Sequence, residues 1–141
     1  MKIYNAGNRV MNNYIYHASQ GWIMIDTGYE HSLKKVEKRA NKQGIVLSKI
    51  TYVFLTHAHD DHAGFLNELL TKYPNLKVII HNQAMPTLLR GQNSFAGGCC
   101  SLIAFAFCKS MVLIGKGKPF RREKLKKYIN HISRLRLYKL K

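Results

Sequence analysis

Short apolar runs alternate with polar turns through the first half of the chain. Residues 2–4 and 10–17 alternate loosely and predict half-buried strands, and Gln20-Gly21 predicts a hairpin turn into the apolar run 22–25. Residues 50–56 and 77–81 are rich in β-branched side chains and predict two further strands.

Apolar residues at helical spacing separate these strands. They predict a helix over residues 32–43, and Gly44 follows where a left-handed helix end favours glycine. A second helix, marked by three leucines, is predicted to end before Pro74, and Asn82 is predicted to cap a short helix over residues 83–90. Strands that alternate with helices predict an α/β (α+β) domain.

Positive charge is concentrated near the C-terminus. The chain has 23 Lys and Arg against 7 Asp and Glu, a formal net charge of +16. Residues 116–141 contain 11 basic and 1 acidic residue, whereas residues 1–115 contain 12 and 6. Apolar residues between 125 and 135 share one helical face, so this tail is predicted to be a basic amphipathic helix. We therefore divide the chain into a domain, residues 1–115, and a basic tail, residues 116–141.

No part of the sequence has the length of a membrane span. The longest apolar stretch, residues 102–114, has 13 residues and contains Lys109, whereas a span needs about 20.

Cys99, Cys100 and Cys108 are an odd number and do not form the pattern of a disulfide framework. We expect no transmembrane segment and a reducing, cytoplasmic location.

Residues 57–62 read His-Ala-His-Asp-Asp-His and concentrate metal-binding side chains between a predicted strand and a predicted helix. Alternate side chains of an extended segment face the same way, so His57 and His59 are placed to share one metal ion. Asp61 and His62 would then project from the turn toward a second metal position. Imidazole and carboxylate ligands suit zinc, and also iron or manganese.

Residues 56–64, Thr-His-Ala-His-Asp-Asp-His-Ala-Gly, resemble the His-x-His-x-Asp-His signature of the metallo-β-lactamase superfamily. Residues 26–28, Asp-Thr-Gly, are similar to the earlier Asp-x-Gly turn of that family. The resemblance covers roughly residues 10–90. It implies the N-terminal half of an αββα sandwich with the metals at one edge, between the sheets.

The resemblance also implies a role for each of these residues. His57 and His59 would bind the first metal, and Asp61 and His62 the second. Asp61 would also take a proton from the attacking water, and Asp26 would support the ligands without touching metal. The family reaction is hydrolysis, in which metal-bound hydroxide attacks an ester, thioester, lactam or phosphodiester of a small-molecule substrate.

The sequence after residue 62 departs from the family pattern. The family completes its two-metal site from its C-terminal half, with a Gly-His-Thr/Ser-Pro-Gly turn, a bridging aspartate and a late histidine. Here only His81 and His131 follow, and no aspartate does. We interpret His81 as a local structural residue and expect neither histidine to bind metal. We therefore expect a truncated member with incomplete zinc occupancy, impaired activity and a tail that is not native family sequence.

Other functions stay open on the sequence alone. A non-catalytic remnant or binding protein would contact nucleic acid or an anionic membrane through the basic tail, and a nuclease would combine that charge with the metal site. A half-domain would also expose Trp22, Ile25, Phe54 and Leu55, or bury them against a partner such as a second copy of the chain.

Overall fold

The computed structural model describes residues 2–90, the segment 132–135 and three isolated helical positions, 106, 110 and 113. Within these residues the chain forms a six-stranded sheet whose spatial order follows the sequence. Two sets of predictions lie outside the described residues: those for Cys99, Cys100 and Cys108, and those for His131 with most of the basic tail.

The sheet has an antiparallel part and a parallel part. Its strands are β1 (Ile3–Asn5), β2 (Tyr14–Ala18), β3 (Gly21–Ile25), β4 (Ile50–Leu55), β5 (Lys77–His81) and β6 (Ile132–Leu135). Strands β1 to β3 pair antiparallel, and β3 to β6 run parallel to one another. The predicted hairpin is confirmed, but its turn lies one residue earlier than predicted, at Ser19-Gln20, because Ala18 pairs with Gly21. Gly21, the first residue of β3, has a φ of +115°.

Helices connect the parallel strands, which confirms the α/β prediction. They are α1 (Leu33–Asn41), α2 (Asp60–Ala63), α3 (Leu66–Lys72) and α4 (Met85–Arg90), with short 3-10 helices at Leu47–Lys49 and Asn82–Ala84. Gly44 has a φ of +76°, as its place after α1 predicted. No helix in the described part of the chain is long and apolar enough to cross a membrane.

The core lies on one face of the sheet. The alternating residues Ile15, Met24, Val53, Val78 and Ile80 point to this face and are fully buried. Apolar side chains of α1 and α3 belong to the same buried cluster: Leu33, Val36, Ala40, Leu66, Leu69 and Leu70. Helices therefore cover this face, as in one half of an αββα sandwich.

The opposite face of the sheet carries apolar side chains that are only partly buried. Ile25 and Phe54, which a half-domain was expected to expose, are half-buried on this face. Trp22, expected to be exposed as well, is half-buried on the helix-covered face, two residues before Met24, and packs against the core. The same expectation was wrong for Leu55, whose side chain is fully buried. The reason is register, because Leu55 pairs with Ile80 and so points to the helix-covered face, one position out of phase with Phe54.

The helical prediction for the basic tail is wrong for residues Ile132–Leu135. They form β6, in which Ile132 pairs with Val78 and Leu135 with His81. An unpaired strand edge offers a row of backbone donors and acceptors, and this pairing outweighs helical spacing in a segment of four residues.

The predicted cap of the last short helix is wrong by one residue. His81, at the end of β5, and not Asn82, caps the 3-10 helix Asn82–Ala84. The backbone of His81 is still extended, with φ −65° and ψ 139°, so its Nδ1 accepts from the Gln83 N–H at 3.3 Å. This contact is local to the strand end.

Candidate metal centre

Both sequence motifs leave the sheet at the same edge. Strands β3 and β4 run parallel, with Ile25 opposite Phe54 at their carboxyl ends. The turn that begins at Asp26 and the segment 56–59 therefore lie side by side, as loops after neighbouring parallel strands do. The Asp26 N–H donates to the Phe54 carbonyl at 2.9 Å, which joins the two loops directly.

His57, His59 and Asp61 converge at this edge. One ligand atom from each of the three lies within 4.8 Å of the other two. The rings of His57 and His59 meet edge to face with their centroids 4.8 Å apart, while Ala58 between them is buried. All three ligand candidates are half-buried, so a metal ion held by them would remain accessible to substrate.

His62 stands beside this cluster and connects it to Asp26. Its ring centroid is 3.9 Å from that of His57, and its Nε2 is 3.4 Å from Asp61 Oδ2. Its Nδ1 is 2.9 Å from Asp26 Oδ2. Asp61 thus lies close to all three imidazoles, and the division of these side chains between two metals stays a prediction.

The Asp26 carboxylate is the buried anchor of the site, with 5% of the residue exposed. Its Oδ1 accepts from the Thr56 N–H at 2.8 Å, and its Oδ2 accepts from Thr56 Oγ1 at 2.8 Å and faces His62 Nδ1. These bonds join the end of β3 to the strand exit of β4 and to α2. Asp26 itself is absent from the group of converging metal ligands in the described residues.

This network fixes which nitrogen of two imidazoles is free. An ionised carboxylate only accepts hydrogen bonds, so His62 donates to Asp26 from Nδ1. Thr56 gives its single hydroxyl hydrogen to Asp26, and its oxygen then accepts from His57 Nδ1 at 3.0 Å. In the neutral form of each ring, Nε2 of His57 and of His62 therefore carries the lone pair that a metal requires.

The electrostatic surroundings favour a neutral His57. Burial lowers the pKa of His57 below its ordinary value of 6.5, and the His62 and His59 rings lower it further. Asp61 and Asp26 act in the opposite direction but do not cancel the effect. A neutral imidazole can donate its lone pair without first losing a proton, so metal binding at His57 competes with fewer protons near neutral pH.

The turn after β3 is held against α2 by backbone contacts. Thr27 donates to the His62 carbonyl from its N–H at 2.7 Å and from its hydroxyl at 2.8 Å, and the Phe65 N–H donates to the Gly28 carbonyl at 3.0 Å. Gly64 allows this approach, because a Cβ there would lie 2.6 Å from the Gly28 oxygen and 2.3 Å from the Asp60 oxygen.

Substituting Gly64→Ala is expected to separate the turn from α2. The atoms that a new Cβ would meet are backbone atoms, which cannot rotate away as a side chain can, so we expect a loss of about 2 kcal/mol or more in the free energy of unfolding. Urea denaturation measures it. Gly44→Ala is the control, because Gly44 has nothing within 4 Å and only its positive φ opposes alanine. Equal losses in the two variants would contradict the close packing at Gly64.

Comparison with known proteins assigns this arrangement to a family. Residues 7–98 match the sequence profile of the Metallo-beta-lactamase superfamily, a span that covers more than half of the chain and includes both motifs. The chain belongs to the metallo-β-lactamase superfamily.

Individual members of the superfamily share only part of their length with this chain. A lactamase-like protein of Pestalotiopsis microspora is 33% identical over 89 residues, which are 62% of this chain and 26% of that protein. An atrochrysone carboxyl ACP thioesterase of Aspergillus aculeatus is 36% identical over 77 residues, 51% of this chain and 24% of that protein. The chain thus spans about a quarter of the length of these curated relatives.

Solved metallo-β-lactamase structures share the same part of the fold. The subclass B3 metallo-β-lactamase BJP-1 of Bradyrhizobium japonicum superposes with a TM-score of 0.60 at 28% identity. The superposition covers 64% of this chain and 34% of that enzyme. The expected partial metallo-β-lactamase fold, limited to an N-terminal half, is confirmed.

The sequence analysis assigned no role at this site to three residues: Asn13, Tyr29 and Thr56. Thr56 was visible as the residue before the signature, but its bridging position between Asp26 and His57 depends on the fold. Tyr29 follows the Asp-x-Gly turn, and its pKa is raised by burial first and then by the charges of Asp61 and Asp60. Asn13, the residue before β2, is 2% exposed and donates to the backbone of the turn at Asp26.

Proposed function

We propose that this member of the metallo-β-lactamase superfamily is a metal-dependent hydrolase that holds zinc through His57, His59 and Asp61. The convergence of these three side chains within 4.8 Å carries the proposal. His62 lies next to Asp61 and is available to a second metal.

The donor set fits a catalytic zinc. Such a site generally has three nitrogen or oxygen ligands from the protein and keeps a further position open for water or substrate. Two imidazoles and one carboxylate meet that description, and the half-buried setting leaves an approach from solvent. Iron and manganese accept the same kinds of ligand, so zinc is the first metal to test and not the sole candidate.

The side chains around the cluster support hydrolysis. Zinc, when bound, would lower the pKa of water and polarise the scissile carbonyl or phosphoryl group. Asp61 would accept a proton from the attacking water at a carboxylate oxygen. Asp26 would keep His62 Nδ1 protonated directly and His57 Nδ1 protonated through Thr56, so that Nε2 of each ring stays turned to the metal.

The proposed substrate is a small molecule with an ester, thioester, lactam or phosphodiester bond. A thioester is the first class to test, because one relative is named as an acyl carrier protein thioesterase. Since the chain matches only part of that relative, the proposal concerns the chemistry of the bond and not the identity of the acyl group.

The test is a hydrolysis assay of the full chain with zinc. Its substrates are an acyl thioester, p-nitrophenyl acetate, a chromogenic β-lactam and bis(p-nitrophenyl) phosphate. We expect hydrolysis of at least one of them, abolished by a chelator, restored by zinc and absent in His59→Ala. The control is His17→Ala, which removes an exposed imidazole on β2. Zinc-loaded wild type that is no faster than His59→Ala on every substrate would contradict the proposal.

A further inference from the structure

Asn13, the residue before β2, is a buried side chain that bonds the turn carrying Asp26. Its Nδ2 donates to the backbone carbonyl of Asp26 at 3.2 Å and to that of Thr27. Its own backbone is held from the other side, since its N–H donates to Asn5 Oδ1 at 3.1 Å and its carbonyl accepts from the Ala6 N–H at 2.9 Å. The carboxamide is therefore a fixed double donor with 2% of the residue exposed.

Asp26 has a backbone conformation that needs such support. Its φ is +57°, in the left-handed region that residues other than glycine seldom occupy. The carbonyls that accept from Asn13 are those of Asp26 itself and of the next residue, Thr27. Both hydrogen bonds therefore stabilise the turn in this conformation. No side-chain atom of Asp26 takes part in these bonds.

The direction of the Asp26 carboxylate depends on that backbone. The carboxylate leaves the turn toward Thr56 and His62, with which it makes contacts of 2.8 to 3.0 Å. A different φ at Asp26 would swing its Cβ away from both partners. His57 would be affected as well, because its Nδ1 is bonded to Thr56 Oγ1.

We propose that Asn13 is a positioning residue of the metal centre, acting through the backbone of Asp26 on the orientation of His57 and His62. It does not contact the metal or the substrate. The inference rests on the proposed function, since it assumes that the histidine cluster binds a metal. The simpler reading is that Asn13 only satisfies buried carbonyls, and the two readings differ in what happens to the metal when the donor is lost.

The experiment measures cobalt(II), a spectroscopic substitute for zinc, in the full chain. Asn13→Asp keeps the size of the side chain but replaces the double donor with an acceptor that faces two carbonyls. We expect about tenfold weaker cobalt binding and a changed visible absorption spectrum of the bound ion, as for other changes outside the ligand set. Asn12→Asp is the matched control, an exposed neighbour with the same change of charge. Its Oδ1 accepts from Asn5 Nδ2, and a carboxylate oxygen keeps that bond, so the cobalt affinity is expected to stay within about twofold of wild type.

A double-mutant cycle with Asp26→Ala separates positioning from general loosening of the fold. If Asn13 acts through Asp26, Asn13→Asp will weaken cobalt binding by less than about twofold in the Asp26→Ala background. Should Asn13→Asp fail to fold, Asn13→Ser carries the same test, because its hydroxyl is too short to bond both carbonyls.

Two results would overturn the inference alone: an unchanged cobalt spectrum and affinity in the Asn13 variants, or an equal loss in both backgrounds. Wild type that binds no cobalt would overturn the proposed function, and this inference with it.

Discussion

His59→Ala is expected to abolish tight zinc binding. The substitution removes one of three converging ligands and leaves His57 and Asp61, fewer protein ligands than catalytic zinc sites have. We expect an affinity loss larger than the roughly 10–100-fold that changes outside the ligand set cause. Competition titration against a chromophoric chelator measures the affinity.

For wild type prepared without chelator, elemental analysis is expected to give fewer than two zinc ions per chain.

His17→Ala is the matched control for this experiment. His17 is an exposed imidazole on β2 whose ring contacts Trp22, outside the histidine cluster. It should retain the zinc affinity of wild type, since the substitution changes the histidine count without changing the site. Equal zinc affinity in wild type and His59→Ala would show that His59 is not a ligand.

Asp26→Asn is expected to weaken metal binding about 10–100-fold while changing the shape of the side chain very little. The carboxamide that it introduces can still accept from Thr56, but its NH₂ group would face His62 Nδ1 where a carboxylate oxygen now accepts. Nδ1 would then become the acceptor and Nε2 would carry the proton, which removes the lone pair that faces Asp61. Cobalt titration measures the affinity, and NMR of ¹⁵N-labelled histidine reports the tautomer.

The control for Asp26→Asn is Glu30→Gln, which makes the same change of charge a few residues along the same loop. It is expected to leave both the metal affinity and the His62 tautomer unchanged. If Asp26→Asn behaved in the same way, the bond between Asp26 and His62 would have no part in metal binding.

Most of the secondary structure could be predicted because it depends on local pattern. Residues 77–81 form β5 as predicted, since an apolar β-branched run between turn residues leaves few alternatives. The α1 helix and Gly44 follow from apolar spacing and from the left-handed conformation that glycine adopts readily. The prediction failed at Ile132–Leu135, where the edge of β5, more than fifty residues earlier, provides a pairing that no local pattern records.

The candidate site was predictable in its residue types and not in its contacts. The signature was recognisable because its residues are close together in the sequence, at positions 57–62. The alternation of side chains in an extended segment explains why His57 and His59 face the same way while Ala58 is buried. The partners of Asp26 come from residues 30 and 36 positions later, Thr56 and His62, and only the parallel pairing of β3 with β4 brings them together. The contribution of Asn13 could not be predicted either, because its contact with the Asp26 backbone, 13 residues later, also depends on the fold.

The most direct measurement of the central claim is the location of zinc in crystals of the zinc-loaded chain, by anomalous diffraction at the zinc edge. The expected result is a peak within about 2.0–2.2 Å of one ligand atom each from His57, His59 and Asp61. A zinc peak elsewhere on the chain, or these three side chains unliganded in a fully loaded crystal, would contradict it.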